Sequence, residues 1–180
     1  MACRSMTEER VVEEICQEGH AIAVGLGEMR VARRSNCVLV AYGLGSCIGL
    51  AAYDPVELVG GLLHAVLPRY RNSEANPAKF VDTGIPALIT EMERCGAKIS
   101  RIRWYAAGGA QMLTAPGFRG MFNIGQQNLE MMEKILAQYG FALSGASLGG
   151  HVGRTLKLYL PRGRVTVRFA GQVEEELSRT

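Results

Sequence analysis

Three observations predict an α+β fold: a single-domain layered α/β sandwich with mostly antiparallel sheets and two main helices. Short β-rich runs outnumber helical ones, and they follow one another without regular helix-strand alternation, which argues against a doubly wound parallel sheet. At 180 residues, 48% of them hydrophobic and 21% charged, the chain suffices for one core that hides roughly two thirds of the unfolded surface. No internal repeat or second composition regime breaks it.

The elements follow in order. From Ile22 the runs "IAVGLGEMRVA", "CVLVAY", "CIGLAAYD" and "LVGGLLHAVLP" read as strands joined in sequence, with "DPVE" as the turn between the third and fourth. The polar, proline-bearing "RNSEANPAKF" reads as a loop. In "VDTGIPALITEMERCGA", Ile85, Leu88, Ile89 and Met92 recur at helical spacing, Asp82 or Thr83 can cap the start, and Gly96 stops the helix. "IRWYAAGG" is a strand that ends in a glycine turn at Gly108 and Gly109. "NIGQQNLEMMEKILAQYG" is the second helix, from an Asn123 cap to Gly140, with Leu129, Met132, Ile135 and Leu136 as its apolar stripe. The last strands are "ALSGASLGG", "TLKLYLP" and "RVTVRFAG", the latter two joined by a "PRGR" hairpin turn. Ahead of all these, "TEERVVEEICQEGH" reads as a short acidic helix with Val11, Val12 and Ile15 on one side. The expected organisation is an acidic extension over residues 1–20, one domain over 21–172 and a tail over 173–180.

Composition excludes several classes. The net charge of +3 is small and its one basic cluster, "RVARR" at 30–34, lacks interleaved aromatics, so a solvated strand end or turn is expected and nucleic acid is not. No apolar run approaches the roughly 20 residues needed to cross a bilayer, and "MACRSMTEER" lacks the apolar centre of a secretory signal. A cytoplasmic protein without membrane insertion is expected. The five cysteines, at 3, 16, 37, 47 and 95, are odd in number and form no CxxC pair, so neither a disulfide framework nor a metal knuckle is read.

Chemistry concentrates in "YGLGSCIGLAAYDP". A free thiol is mostly protonated at neutral pH and needs a base to become a nucleophile. The chain offers His20, in the extension, His151, in a loop, and His64, in the strand that directly follows the one carrying Cys47. A turn at Asp54 and Pro55 folds these two strands together and brings Cys47 and His64 to one end of the sheet, although a one-residue slip would send the histidine to the opposite face. Gly43 and Gly45 bare the backbone beside the thiol, so N–H groups of the Gly45, Ser46 and Ile48 loop can face a developing oxyanion. The glycines at 43, 45 and 49 do not match a dinucleotide fingerprint, and no P-loop lysine follows.

The blocks "GLGSCIGL", "DP", "GGLLHAVLP", "NPAKFVDTGIPALI", "AGGAQML", "NIGQQN" and "GGHVGRTLKLYL" occur in the order found in the CheD family of chemoreceptor glutamine deamidases. The resemblance runs from about Ile22 to Phe169. It implies a cytoplasmic cysteine hydrolase with a sandwich similar to that of the deamidating bacterial toxins. Such an enzyme converts glutamines of methyl-accepting chemotaxis receptors to glutamate, needs no metal or organic cofactor, and in some members binds a CheC-type phosphatase. Carried over by position, the nucleophile falls on Cys47 and the base on His64.

Two departures from the family pattern stand out. The family commonly has a threonine six residues before the cysteine, thought to orient the histidine, where this chain has Ala41; Thr83, Ser46 or a backbone carbonyl are the substitutes left open. The family often has Asp and Asn where this chain has Ser147 and His151, so His151 and Arg154 are expected at a pocket edge of altered character. Two rival readings accompany the deamidase: an adaptor weakened in catalysis that docks on receptors or on the phosphatase, and a thiol redox sensor using Cys47 and Cys37, for which no distance argument exists.

Overall fold

The computed structural model describes residues 20–71, 76–112 and 123–177; the expected acidic helix of the extension lies outside them. The elements are β1 (Ala21–Ala23), β2 (Glu28–Arg33), β3 (Val38–Leu44), β4 (Ile48–Asp54), β5 (Val59–Ala65), α1 (Val81–Arg94), β6 (Arg103–Gly108), α2 (Ile124–Tyr139), β7 (Leu143–Leu148), β8 (Arg154–Tyr159), β9 (Arg164–Phe169) and β10 (Glu175–Glu176).

They form two five-stranded sheets, ordered β1-β3-β8-β9-β10 and β2-β5-β4-β6-β7. Side-chain alternation builds two cores from the second sheet. Ile48, Leu50, Ala52, Leu63 and Ala65 face the helices, where they meet Ile85, Leu88 and Met92 of α1 and Met132 and Leu136 of α2. Cys47, Ala51, Tyr53 and Leu62 face the first sheet, where they meet Leu39, Ala41, Leu156 and Leu158. The result is the expected layered sandwich, with helices stacked on sheet and sheet on sheet. Every residue of β4 and β5 is buried, because these strands carry a packed layer on each side, and each large aliphatic side chain there is worth roughly 1.5–3 kcal/mol of transfer free energy.

Most strand pairs are antiparallel, as expected, but β1 with β3 and β6 with β7 run parallel. The β6–β7 pair follows from α2, whose crossover returns the chain in its original direction. The run "IAVGLGEMRVA" is not one strand. It breaks at Gly25–Gly27 into β1 and β2, which join different sheets.

Helix α2 starts as predicted, with the Asn123 side chain accepting from the Gln126 N–H at 3.2 Å, and it ends at Gly140 in the left-handed conformation, φ 71°. Helix α1 corrects the predicted cap. Its N-cap is Phe80, which makes no side-chain cap bond; Asp82 sits in the first turn and accepts from the Tyr70 N–H at 2.8 Å. A short 3-10 turn, Pro77–Lys79, precedes it where a plain loop was expected.

The basic run at 30–34 is a strand end in ion pairs, Arg30 with Glu28 and Arg33 with Glu57. Sheet structure continues past residue 172, since β10 pairs with β9 and Glu174 accepts from Lys157, Tyr159 and Thr166. Among the described residues no helix is long and apolar enough to cross a membrane.

Candidate active site

The β4–β5 hairpin closes at the Asp54–Val59 pair and sets Gly49 opposite His64. Cys47, two residues before Gly49, therefore falls on the same face as His64, the inner face toward the first sheet. The Asp54 carboxylate holds the hairpin turn. It accepts from the Val56 N–H at 2.9 Å, the Lys98 N–H at 2.8 Å and the Arg101 guanidinium at 2.7 Å. A slip of one residue would put thiol and imidazole on opposite faces, so this turn has a direct consequence for the site.

Cys47 is a free thiol, 9% exposed. Burial pushes it above its ordinary 9.0, and its own backbone N–H offsets part of that rise. His64 is 2% exposed. Burial lowers its pKa from 6.5, with partial relief from the Val24 carbonyl and the charge of Glu28, its cross-strand neighbour on β2. The His64 Nδ1 lies 3.1 Å from the Val24 carbonyl oxygen, and the buried Nε2 has no hydrogen-bond partner among the described residues. A carbonyl only accepts, so Nδ1 carries the proton and Nε2 offers its lone pair. The ring is a neutral base with its free nitrogen inside the sandwich.

Thr83 does not orient this ring. It lies on α1, across the sheet from the face that carries His64, and its Oγ1 donates to the Pro77 carbonyl at 2.7 Å. Ala41 is fully buried in the same inner layer as Cys47. Of the substitutes left open, the contact is a backbone carbonyl, that of Val24.

The loop before β4 is held by three of its carbonyls. Gly45 accepts from the Ala110 N–H at 2.7 Å and Cys47 from the Gly109 N–H at 2.9 Å. Ser46 accepts from the Asn128 Nδ2 at 2.8 Å, and the same nitrogen donates to the Val66 carbonyl at 3.0 Å. In a trans peptide the N–H points opposite to the C=O, so the N–H groups of Ser46, Cys47 and Ile48 turn away from these partners. Gly108, φ 113°, lets the backbones meet: a Cβ there would stand 2.0 Å from the Cys47 oxygen. The space beside Gly45, expected to be open to substrate, is covered by Met112, whose Cγ and Sδ lie 3.0 Å from where a Cβ would be.

Arg154 opens β8 and His151 lies in the loop before it. Arg154 is buried and donates to the Ser147 carbonyl and hydroxyl and to the carbonyls of Gly149 and Val152, so it staples the 147–152 loop. That loop pairs with the glycine turn through Gly149 N–H to the Gly108 carbonyl and Gln111 N–H to the Gly150 carbonyl. His151 is exposed, with Nδ1 3.1 Å from the Gln111 carbonyl oxygen. His20 is exposed and takes no part in this network beyond the Val38 N–H on its carbonyl. Among the described residues no group of three His, Cys, Asp or Glu could hold a metal ion.

Sequence reading missed Val24, Glu28, Met112 and Asn128. Asn128 lay within the block "NIGQQN", but nothing in that block tells which strand ends its amide reaches.

A one-domain α+β sandwich with a free thiol and a neutral imidazole on one inner face defines a class of protein built around a buried polar pair. The model of the family described as "CheD chemotactic sensory transduction" matches residues 66–169, and the chain belongs to the CheD family. A relative from Symbiobacterium thermophilum, named probable chemoreceptor glutamine deamidase CheD, is 46% identical over 86% of this chain and 96% of its own length. Relatives of the same name from Desulforamulus reducens and Archaeoglobus fulgidus are 42% and 40% identical over 88% and 84% of this chain, and 96% and 95% of their own.

Proposed function

We propose that this chain is a protein-glutamine glutaminase that converts glutamine side chains of methyl-accepting chemotaxis receptors to glutamate in the cytoplasm, with Cys47 as nucleophile and His64 as base. The observation that carries the reading is the shared inner face of Cys47 and His64, with Nε2 unprotonated and free. The names of the relatives support the substrate class.

The proposed steps use these two groups. Nε2 takes the thiol proton as sulfur attacks the glutamine side-chain carbonyl carbon. The N–H of Cys47 donates to the oxyanion, as do neighbouring loop N–H groups. The imidazolium returns its proton to the leaving nitrogen, ammonia departs, and a thioester remains. Water then attacks the thioester with Nε2 as base, and glutamate and free thiol result. A thiol only 9% exposed suits a slender, extended side chain such as glutamine rather than a bulky one.

The test is ammonia release from purified receptor cytoplasmic fragments, with mass spectrometry reading the amide-to-acid change. Wild type is expected to be active, and Cys47→Ala and His64→Ala inactive. Equal release from all three would overturn the reading.

The low exposure of the thiol, 9%, favours a second reading: an adaptor that docks on receptors or on a CheC-type phosphatase with little chemistry of its own. It predicts unchanged receptor glutamines and receptor binding unaffected by Cys47→Ala.

A further inference from the structure

Asn128 projects from the first turns of α2 through the layer between helix and sheet and is fully buried. Its Nδ2 sits between two carbonyl oxygens, that of Ser46 at 2.8 Å and that of Val66 at 3.0 Å. Two acceptors on one atom require a nitrogen with two hydrogens, so the amide orientation follows from chemistry. Among the described residues its Oδ1 has no partner, an arrangement that costs roughly 1–3 kcal/mol. Helix stability does not call for an asparagine at this place, since a buried leucine or methionine would pack there without that cost.

The positions of the two carbonyls give the amide its meaning. The β4–β5 ladder ends at the Ile48–Ala65 pair. Ser46 lies just before Cys47, and Val66 lies two residues after His64. Beyond the ladder's end, one side chain therefore links the strand of the thiol to the strand of the imidazole. The Ser46 carbonyl also belongs to the peptide unit whose N–H is that of Cys47. With the oxygen held toward α2, that N–H turns the other way.

We infer that Asn128 is a positioning residue for the reaction: it fixes the Ser46–Cys47 peptide so that the Cys47 N–H faces the reacting centre, and it ties that peptide to the strand carrying His64. The inference rests on the proposed roles of Cys47 and His64. Released from Asn128, the Ser46–Cys47 peptide can rotate, and its carbonyl then competes for the place of an oxyanion donor. Loss of one such donor typically lowers kcat by roughly 10²–10³-fold.

The experiment compares wild type, Asn128→Ala and Asn123→Ala. The last removes the cap of the same helix without touching the loop. Two readouts are taken, deamidation of receptor fragments and the pH dependence of Cys47 alkylation by iodoacetamide. Asn128→Ala is expected to lose at least about 30-fold in kcat with KM within about twofold, the pattern of an interaction made in the transition state, while Asn123→Ala keeps wild-type kcat. The alkylation profile of Asn128→Ala is expected to shift to higher pH, because the Cys47 N–H no longer offsets part of the rise from burial. Equal kcat in wild type and Asn128→Ala, or equal losses in the two variants, overturns the inference.

If wild type releases no ammonia, the functional reading fails by itself, and the alkylation profiles still decide for Asn128: displaced curves support its hold on the peptide and superimposed curves overturn it. If Asn128→Ala does not fold, the wild-type protein carries the test. Its Asn128 side-chain amide protons should exchange slowly with solvent by NMR, and rapid exchange overturns the inference.

Discussion

The Nδ1 of His64 lies 3.1 Å from the carbonyl oxygen of Val24. The acceptor belongs to the segment just after β1, and the ring is carried by β5, so the two sheets meet at this bond. It fixes the tautomer and leaves Nε2 free, with no need of a hydroxyl at position 41. Ala41→Thr is therefore expected to change kcat/KM by less than about threefold, against the roughly 10⁴-fold that loss of tautomer control costs. Steady-state kinetics on a receptor fragment check this. A large gain would mean that the Val24 carbonyl does not hold the ring.

Both members of the pair are pushed toward their neutral forms. Burial lifts the Cys47 thiol above 9.0 against the pull of its own N–H, and burial lowers the His64 imidazole below 6.5 against the Val24 carbonyl and Glu28. A resting thiol and a neutral imidazole on one face are the outcome, not a thiolate-imidazolium pair. The rate of Cys47 alkylation should accordingly climb through pH 9.0 without an earlier plateau. Deamidation should hold at pH 6.5 and fall only in more acid solution, as Nε2 gains a proton. A plateau in alkylation already reached below pH 6.5 would contradict this. Glu28→Gln removes a charge that raises the imidazole pKa, and should move the acid limb to lower pH still.

The sequence made the hairpin readable because "DP" marks its turn and branched, apolar runs flank it, and the Asp54–Val59 closure is where that signal stands. The common face of Cys47 and His64 depends on register, which turn chemistry sets and periodicity alone does not. The two parallel pairs needed the path of α2 and the break at Gly25–Gly27, which a continuous β-rich run concealed. Val24 left no trace because the group that acts is a carbonyl, and every residue has one. Asn128 was hidden for a related reason: its partners, Ser46 and Val66, are 82 and 62 residues away, and their side chains have no part in the contact. Thr83 looked suitable from its hydroxyl, but the helix that carries it packs on the other face of the sheet.

Gly108 and Gly140 both have positive φ, 113° and 71°, but only Gly108 faces an obstacle, the Cys47 carbonyl oxygen at 2.0 Å from a Cβ; around Gly140 nothing lies within 4 Å. Gly140→Ala thus meets backbone strain alone, about 1 kcal/mol, and should leave activity unchanged. Gly108→Ala must in addition displace the backbone of Cys47. It should cost more than about 2 kcal/mol in urea denaturation and reduce deamidation by a larger factor than the stability loss explains. Equal behaviour of the two variants would show that the Cys47 backbone yields without consequence.

The Asp54 carboxylate gives the hairpin a pH dependence whose sign can be worked out. Burial alone would raise its pKa; the Arg101 guanidinium and the N–H groups of Lys98, Val56 and Glu57 outweigh burial and hold it at about 2, below the ordinary 3.8. A carboxyl depressed on folding binds its proton more readily in the unfolded chain, so its stabilisation is complete above 3.8 and is lost as pH falls through about 2. The gap corresponds to about 2 kcal/mol. Asp54→Asn should therefore be less stable than wild type by about that amount at neutral pH, and the difference should shrink as the solution is made more acid than 3.8. Urea midpoints for the two proteins across that range check it. Because Asp54 closes the turn that puts Gly49 opposite His64, Asp54→Asn should also lower deamidation at neutral pH, at temperatures where the variant remains folded. A variant destabilised to this extent but with undiminished kcat would mean that the ladder, without its turn, is enough to keep the thiol and the imidazole on one face.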